Sequence, residues 1–299
     1  MTSSTQSIAS RRKKTGATRL RGTIGTAILI LGGIVILVPI YWIVVASTKN
    51  NSTLFSTPTF LPGSVSNLAR NASLLFTVQN GIFVQWLLNS VIYAVVTALV
   101  GTYLSSLTGY ALAVFRFKGR ATLFAGVLGG LMVPSTVLIV PIFILEHALH
   151  LNDTYEGVIL PMLVFPFGVY FMSIYASESL PVTLLEAARM DGAREFQIFH
   201  RIALPILLPG MVTLFLISFI NTWNNYFLPL VLIGTTSKYP LTVGLSIWLS
   251  SVATPGVNQA LYPQVILGSL VSVLPMLILF PFLQKFIARG LTIGALAGE

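Results

Sequence analysis

Six long stretches of this chain carry no Asp, Glu, Lys, Arg or His: residues 24–47, 86–115, 122–145, 158–176, 204–233 and 263–283. Each is close to or longer than the ~20 apolar residues a helix needs to cross a bilayer. Lipid offers no hydrogen bonds to a bare peptide group, so a spanning segment must satisfy its backbone internally, as a helix or a closed barrel. The alternating apolar–polar pattern of barrel strands is absent, which leaves helices. The expectation is an all-α membrane protein with six transmembrane helices. Composition agrees, since 55% of the 299 residues are hydrophobic and 8% charged, against roughly 45–50% and about 25% in soluble domains.

Prolines interrupt several runs, at Pro134, Pro141, Pro161, Pro166, Pro229 and Pro275. Each removes a backbone donor and is expected to kink its helix; whether the kinks serve packing or gating, the sequence leaves open. Orientation follows from Lys and Arg, which concentrate in cytoplasmic segments. The N-terminal stretch holds Arg11, Arg12, Lys13, Lys14, Arg19 and Arg21. Arg116, Lys118, Arg120, Arg189, Arg194, Arg201, Lys285 and Arg289 fall on the same side, and of the 17 basic residues only Lys49, Arg70 and Lys238 fall on the other. Both termini are therefore expected in the cytoplasm. The net charge of +9 is this asymmetry and implies no nucleic-acid partner. The first run is too long for a signal-peptide core and no small-residue cleavage site follows it. The expected division is a basic, disordered tail over 1–22, whose cations suit anionic lipid headgroups, a membrane domain over 23–287, and a cytoplasmic tail over 288–299. With no cysteine, disulfides and thiolate chemistry are excluded.

Between the fourth and fifth runs lies a polar island, EAARMDGAREFQIFHRIALPILLP, over residues 186–209. Ser179 is expected to cap a helix with Pro181 in its first turn. Leu184, Leu185 and Ala188 fall on one face, and Gly192 can adopt the left-handed conformation that ends the helix. A second helix is expected from Arg194, with Phe196, Phe199 and Ile202 about a turn apart, and Leu204-Pro205 leads into the next span. The unit is a helix–turn–helix at the membrane surface, over 180–205.

This string resembles the EAA loop of permease subunits of ATP-binding-cassette (ABC) importers. Glu186, Ala187, Ala188, Asp191, Gly192, Ala193, Phe199, Ile202, Leu204 and Pro205 stand at the family's positions. Weaker likenesses to carbohydrate-type permeases, the subgroup of the maltose permease subunit MalG, lie in Trp86-Leu87-Leu88-Asn89-Ser90, Leu151-Asn152-Asp153-Thr154-Tyr155, Trp223-Asn224-Asn225-Tyr226-Phe227 and the ending Gln284-Lys285-Phe286 … Arg289-Gly290-Leu291-Thr292-Ile293-Gly294. Ala297 stands where that subgroup commonly has a lysine. The resemblance implies the type I importer permease fold, in the inner membrane of a bacterium or archaeon. It implies a second permease subunit, two ABC ATPase subunits docking on the EAA loop, and an extracytoplasmic substrate-binding protein. Gly192 would make the turn, Glu186 and Asp191 the polar contacts, and Phe199 the apolar anchor. The chain has no GxxxxGK[ST] phosphate loop, so it is read as non-catalytic and cofactor-free, with ATP and Mg²⁺ used by the partner ATPase.

The rival reading is a secondary transporter driven by an ion gradient. Ion coupling usually leaves ionisable residues inside the spans, and the six runs have none; a sodium site built from carbonyls stays open. A membrane scaffold would not need the island. Glu146, Asp153 and Glu156 are expected on a solvated loop, as are His147, His150 and His200. For the substrate pathway the candidates are Asn221, Trp223, Asn224, Asn225 and Tyr226. Their amides, hydroxyl and aromatic faces suit sugar hydroxyls and rings, or serve to join helices. A sugar or oligosaccharide, or a glycerol phosphate, is implied by the subgroup resemblance. Residues 49–85 read as a polar surface loop.

Overall fold

The computed structural model describes residues 16–253 and 261–296. The basic cluster Arg11–Lys14 and the departure at Ala297 lie outside them. Among the described residues all regular structure is helical. Four helices are long and apolar enough to cross a membrane, and the number is six if each of two bent helix pairs is one broken span.

The first helix, α1 (Gly16–Ser47), starts earlier than expected, inside the segment read as a tail. Ala17, Leu20 and the neighbouring arginines are good helix formers, so the helix extends backward from the apolar run. Residues 49–85 are also more ordered than a polar loop. They form α2 (Asn51–Ser56) and α3 (Val65–Thr77), capped by the side chains of Asn50 and Ser64. Buried Asn71 donates from Nδ2 to the carbonyls of Ser47 and Lys49, both at 2.9 Å. Lys49, 2% exposed, spends its charge on the Pro58 carbonyl at 2.7 Å. Gln79, Asn80 and Gly81 all take positive φ and kink the chain where it enters α4 (Ile82–Val114).

Helix α4 is the central member of the bundle. Gly101, Ser105 and Gly109 form a stripe of small residues four apart along it. A Cβ at Gly109 would lie 2.7 Å from the backbone of Met172, and Gly168 sits as closely over Ser105. In lipid the hydrophobic effect does not drive helices together, and close backbone approach supplies the packing contacts instead. That explains why small residues mark this crossing.

The third span is not one helix. α5 (Arg120–Met132) and α6 (Ile139–Ala148) are joined by a 3₁₀ turn and bent by 96°. Pro134 disfavours the helical conformation at Val133, which is extended with ψ 118. The fourth span bends by 41° between α7 (Tyr155–Leu163) and α8 (Pro166–Ser179), with Pro166 opening the second half. There follow α9 (Val182–Met190), α10 (Glu195–Ile198) and α11 (Leu204–Trp223). Ser179 ends α8 and caps nothing; Pro181 stands at the N-cap of α9.

The fifth run breaks where it was expected to continue. α11 stops at Trp223, Asn224 turns its Nδ2 back onto the Ile220 carbonyl at 2.9 Å, and α12 (Phe227–Leu232) restarts after three residues. Side chains that compete for nearby backbone groups end helices in this way. A further apolar helix, α13 (Leu241–Ala253), was not anticipated, because its 13 residues are too few to span a bilayer. α14 (Tyr262–Leu296) closes the bundle against α1 and α11 and runs through most of the segment expected as a C-terminal tail.

Candidate functional site

The polar island folds as a helix, a tight turn and a short helix. At the end of α9 the N–H of Gly192 donates to the Arg189 carbonyl and that of Ala193 to the Ala188 carbonyl, both at 3.0 Å. This paired pattern closes a helix through a left-handed residue, and Gly192 has φ +80. The guanidinium of Arg189 then bridges to Glu195, Nε to Oε1 at 2.7 Å, fastening the two arms on their exposed side. The Gln197 side chain accepts from the Arg194 N–H at 3.0 Å and starts α10.

Leu185, Ala188, Ile198, Phe199 and Ala203 form the inner face of the element and are buried against α4, α8 and α11. Phe199 is 1% exposed, its ring 5.1 Å from that of Tyr110 on α4. Ile202 and Leu204 pack at the edge of the same cluster. Leu184, expected on this face, is exposed instead. The outer face carries Glu186, Ala187, Asp191 and Gly192 in the open, with Met190 at 88% and Phe196 at 66% exposure. Phe199–Ala203 is a π turn; Pro205 has no N–H to give to Arg201, and the wider turn accommodates that loss. His200, expected to be solvated, is half-buried and bonded to Tyr103.

The other half of α4 meets a polar clasp that the sequence did not reveal. Trp86 Nε1 donates to the Thr236 carbonyl at 2.8 Å, Asn89 Nδ2 to those of Ser237 and Tyr239 at 2.7 and 3.0 Å, and the Tyr93 hydroxyl to that of Lys238 at 3.0 Å. Tyr155 OH donates to Asn89 Oδ1 at 2.8 Å. Asp153, at φ +59, accepts from the N–H groups of Gly234 and Thr235 and from the Thr235 hydroxyl. Lys238 sits 3.6 Å from its Oδ2. These bonds, the Thr235 hydroxyl first, hold the Asp153 carboxyl below the usual carboxylate range. Asp153 is thus engaged rather than solvated, and Glu146, in the last turns of α6, is 3% exposed. The clasp joins two segments noted for resemblance, Trp86–Ser90 and Leu151–Tyr155, to residues 233–239. Their partners are mostly backbone carbonyls and N–H groups of that stretch, which carry no sequence signal.

A third feature is a cleft of about 480 Å³ between α11, α13 and α14. Trp223, Asn224 and Tyr226 line it, with Thr242, Ser246 and Ser272, three polar side chains that sequence reasoning missed. Trp223 is 5% exposed, stacked at 5.7 Å on Phe219, and its Nε1 donates to the Ser272 carbonyl at 3.2 Å. The Tyr226 hydroxyl pairs with Ser246 Oγ at 3.1 Å. Asn225 is turned away, its Nδ2 on Met162 Sδ, and Asn221 is exposed outside the cleft lining. Among the described residues no group of three or more His, Cys, Asp or Glu is placed to hold a metal ion.

Known proteins share both sequence and shape with this chain. The Arabinooligosaccharides transport system permease protein AraQ of Bacillus subtilis (strain 168) is 38% identical over 263 residues, covering 88% of this chain and 91% of the relative. The Diacetylchitobiose uptake system permease protein NgcG of Streptomyces coelicolor is 30% identical over 285 residues, 95% of this chain and 91% of the relative. A solved chain of a bacterial ABC transporter involved in the import of the acidic polysaccharide alginate superposes with a TM-score of 0.79. It is 24% identical, and the match covers 91% of this chain and 98% of that one; at that identity it speaks for the fold alone. Residues 105–293 match the pattern of a family described as binding-protein-dependent transport system inner membrane component, and with relatives this similar over nearly its whole length, the chain belongs to that family of membrane-embedded transport permeases.

Proposed function

We propose that this chain is one permease half of an ATP-driven importer for a sugar or oligosaccharide. The observation that carries the reading is the element α9–Gly192–α10. Its inner face is rooted on α4 through Phe199, while its outer face presents Met190, Phe196 and mixed charge. Exposed apolar side chains set among charges suit a protein partner. Glu186, Ala187, Ala188, Asp191, Gly192 and Ala193 then belong to a coupling loop over 180–205 that receives ATPase motion, with Phe199, Ile202, Leu204 and Pro205 passing it into α11. ATP and Mg²⁺ act on the two ATPase subunits, and this chain catalyses nothing itself. Both termini and the coupling loop face the cytoplasm of a bacterium or archaeon. The arabinooligosaccharide and diacetylchitobiose named for its relatives point to a neutral oligosaccharide, delivered by a binding protein and passed between this subunit and a second permease. Asn224 and Tyr226 are the pathway contacts the cleft favours, with buried Trp223 packed as its wall. No observation favours an ion-gradient transporter.

The test is a mild-detergent pull-down of the tagged chain from its own cells, with mass spectrometry and an ATPase assay of what is recovered. A second permease and an ATPase are expected. Recovery of the chain alone, active in vesicles on an ion gradient without ATP, would overturn the proposal.

A further inference from the structure

We infer that His200 is a positioning residue which, with Tyr103, braces the coupling element against α4, so that a displacement of the Gly192 turn reaches the bundle in one fixed register. The inference rests on the importer reading above. His200 Nδ1 lies 2.8 Å from the Phe196 carbonyl oxygen and Nε2 lies 3.0 Å from the Tyr103 hydroxyl. A carbonyl can only accept, so this network assigns the hydrogen to Nδ1, and in the neutral ring Nε2 accepts from Tyr103. One imidazole therefore ties the backbone of α10 to a side chain of α4, 97 residues away in sequence.

Its position is where support is needed. His200 lies in the π turn, where the Leu204 N–H reaches back to the Phe199 carbonyl instead of closing an ordinary α turn. The junction between α10 and the transmembrane helix α11 is thus an interruption of the regular ladder, of the kind that accompanies bends and functional hinges. Apolar contact between Phe199 and Tyr110 fixes the depth of the element but is not directional. A hydrogen bond requires alignment as well as distance. The ring is also wedged from below, its centroid 4.0 Å from that of the exposed Phe196 and 5.0 Å from that of Phe199. A load applied at Phe196 meets His200 first and Tyr103 next.

The chain has no cysteine, so Thr183→Cys on α9 and Thr108→Cys on α4, both exposed, are its two labelling sites, and spin labels are attached to the complex assembled with ATPase and permease partners whose own cysteines have been replaced. The distance distribution between the labels is measured without nucleotide and with ATP and Mg²⁺. In the otherwise unaltered chain it is narrow in both states. In Tyr103→Phe, which keeps the ring and loses one oxygen, and in His200→Phe, it broadens to roughly 5 Å, the rise of a one-turn slip. A narrow distribution in Tyr103→Phe overturns the brace, whatever His200→Phe does, and so does a broad one in the unaltered chain. Failure of the importer reading is a separate result, since no ATPase would then accompany the unaltered chain.

Discussion

The carboxylate of Asp153 holds Thr235 at two points, Oδ1 accepting from the backbone N–H at 2.9 Å and Oδ2 from the hydroxyl. The two residues sit on loops 82 positions apart in the chain, so this side chain, with Lys238 and the Asp153 N–H bond to the Leu232 carbonyl, holds the α6–α7 connection to the α12–α13 connection. The Asp153 carboxyl titrates below its ordinary value, mainly because of the Thr235 hydroxyl. A depressed acid stabilises the folded state above its unfolded value of about 3.9, and that contribution disappears as pH falls through the lower folded value. The contribution of Asp153 is therefore fully present at neutral and mildly acid pH and is lost only in stronger acid. Asp153→Asn should cost about 1 kcal/mol at pH 7, the modest value fitting a half-exposed charged hydrogen bond. Thermal melts in detergent should show the variant and the unaltered protein converging at low pH.

Gly192→Val should abolish uptake while leaving membrane insertion and yield intact. Nothing lies within 4 Å of a Cβ at this position, so the obstacle is φ +80 alone, a conformation that costs a non-glycine residue roughly 1–2 kcal/mol and a β-branched one more. Gly192→Asn, which tolerates left-handed geometry, should retain part of the activity. Uptake normalised to the amount of protein in the membrane distinguishes the two; normal uptake in Gly192→Val would count against the coupling role.

Gly109→Val should destabilise the bundle by about 1–3 kcal/mol, the usual penalty of overpacking. Its Cβ would collide at 2.7 Å with the Met172 backbone, which cannot rotate aside as a side chain can. Gly126→Val, on α5 with open space around its Cβ, is the control. Comparing melting temperatures and yields would test this, and equal values would argue against the tight α4–α8 crossing.

In the cleft, if the importer proposal holds, Asn224→Ala should weaken the apparent affinity for the transported sugar by about fivefold, on the scale of one neutral hydrogen bond. Trp223→Ala should instead lower yield, since that indole is stacked on Phe219 and bonded to Ser272. Unchanged affinity in Asn224→Ala would assign the polar segment to helix packing.

What could be read from the sequence, and what could not, divides by range. Gly192 was legible because left-handed turns draw on a local signal, a glycine directly after a helical face. The break at Pro134 was legible as a kink but not as a 96° bend, because proline fixes where a helix stops and packing sets the angle. The span expected over 204–233 hid a break after Trp223, since Asn224 and Asn225 look like tolerable polar residues until their amides are seen bonding nearby groups. α13 was missed because a 13-residue apolar run is indistinguishable from a loop when length is the criterion. His200 was read as solvated, and the Asp153 clasp as a charged loop, because their partners lie far away in the chain. No single sequence without its fold displays such pairings.

Along α4, Asn89 belongs to the clasp and Tyr110 to the packing under the α9–α10 element, roughly 30 Å apart at the rise of an α-helix. That is close to the thickness of the hydrocarbon layer. A helix cannot shorten without breaking its own hydrogen bonds, so if the coupling proposal holds, force arriving at the Tyr110 end is passed on by rigid movement of the whole helix, of which a tilt is one form. A tilt of ~10° about the midpoint would carry each end sideways by roughly 3 Å, in opposite directions. Opening on one side of the membrane and closing on the other would then be a single movement of one lever, with no signal relayed from residue to residue between them.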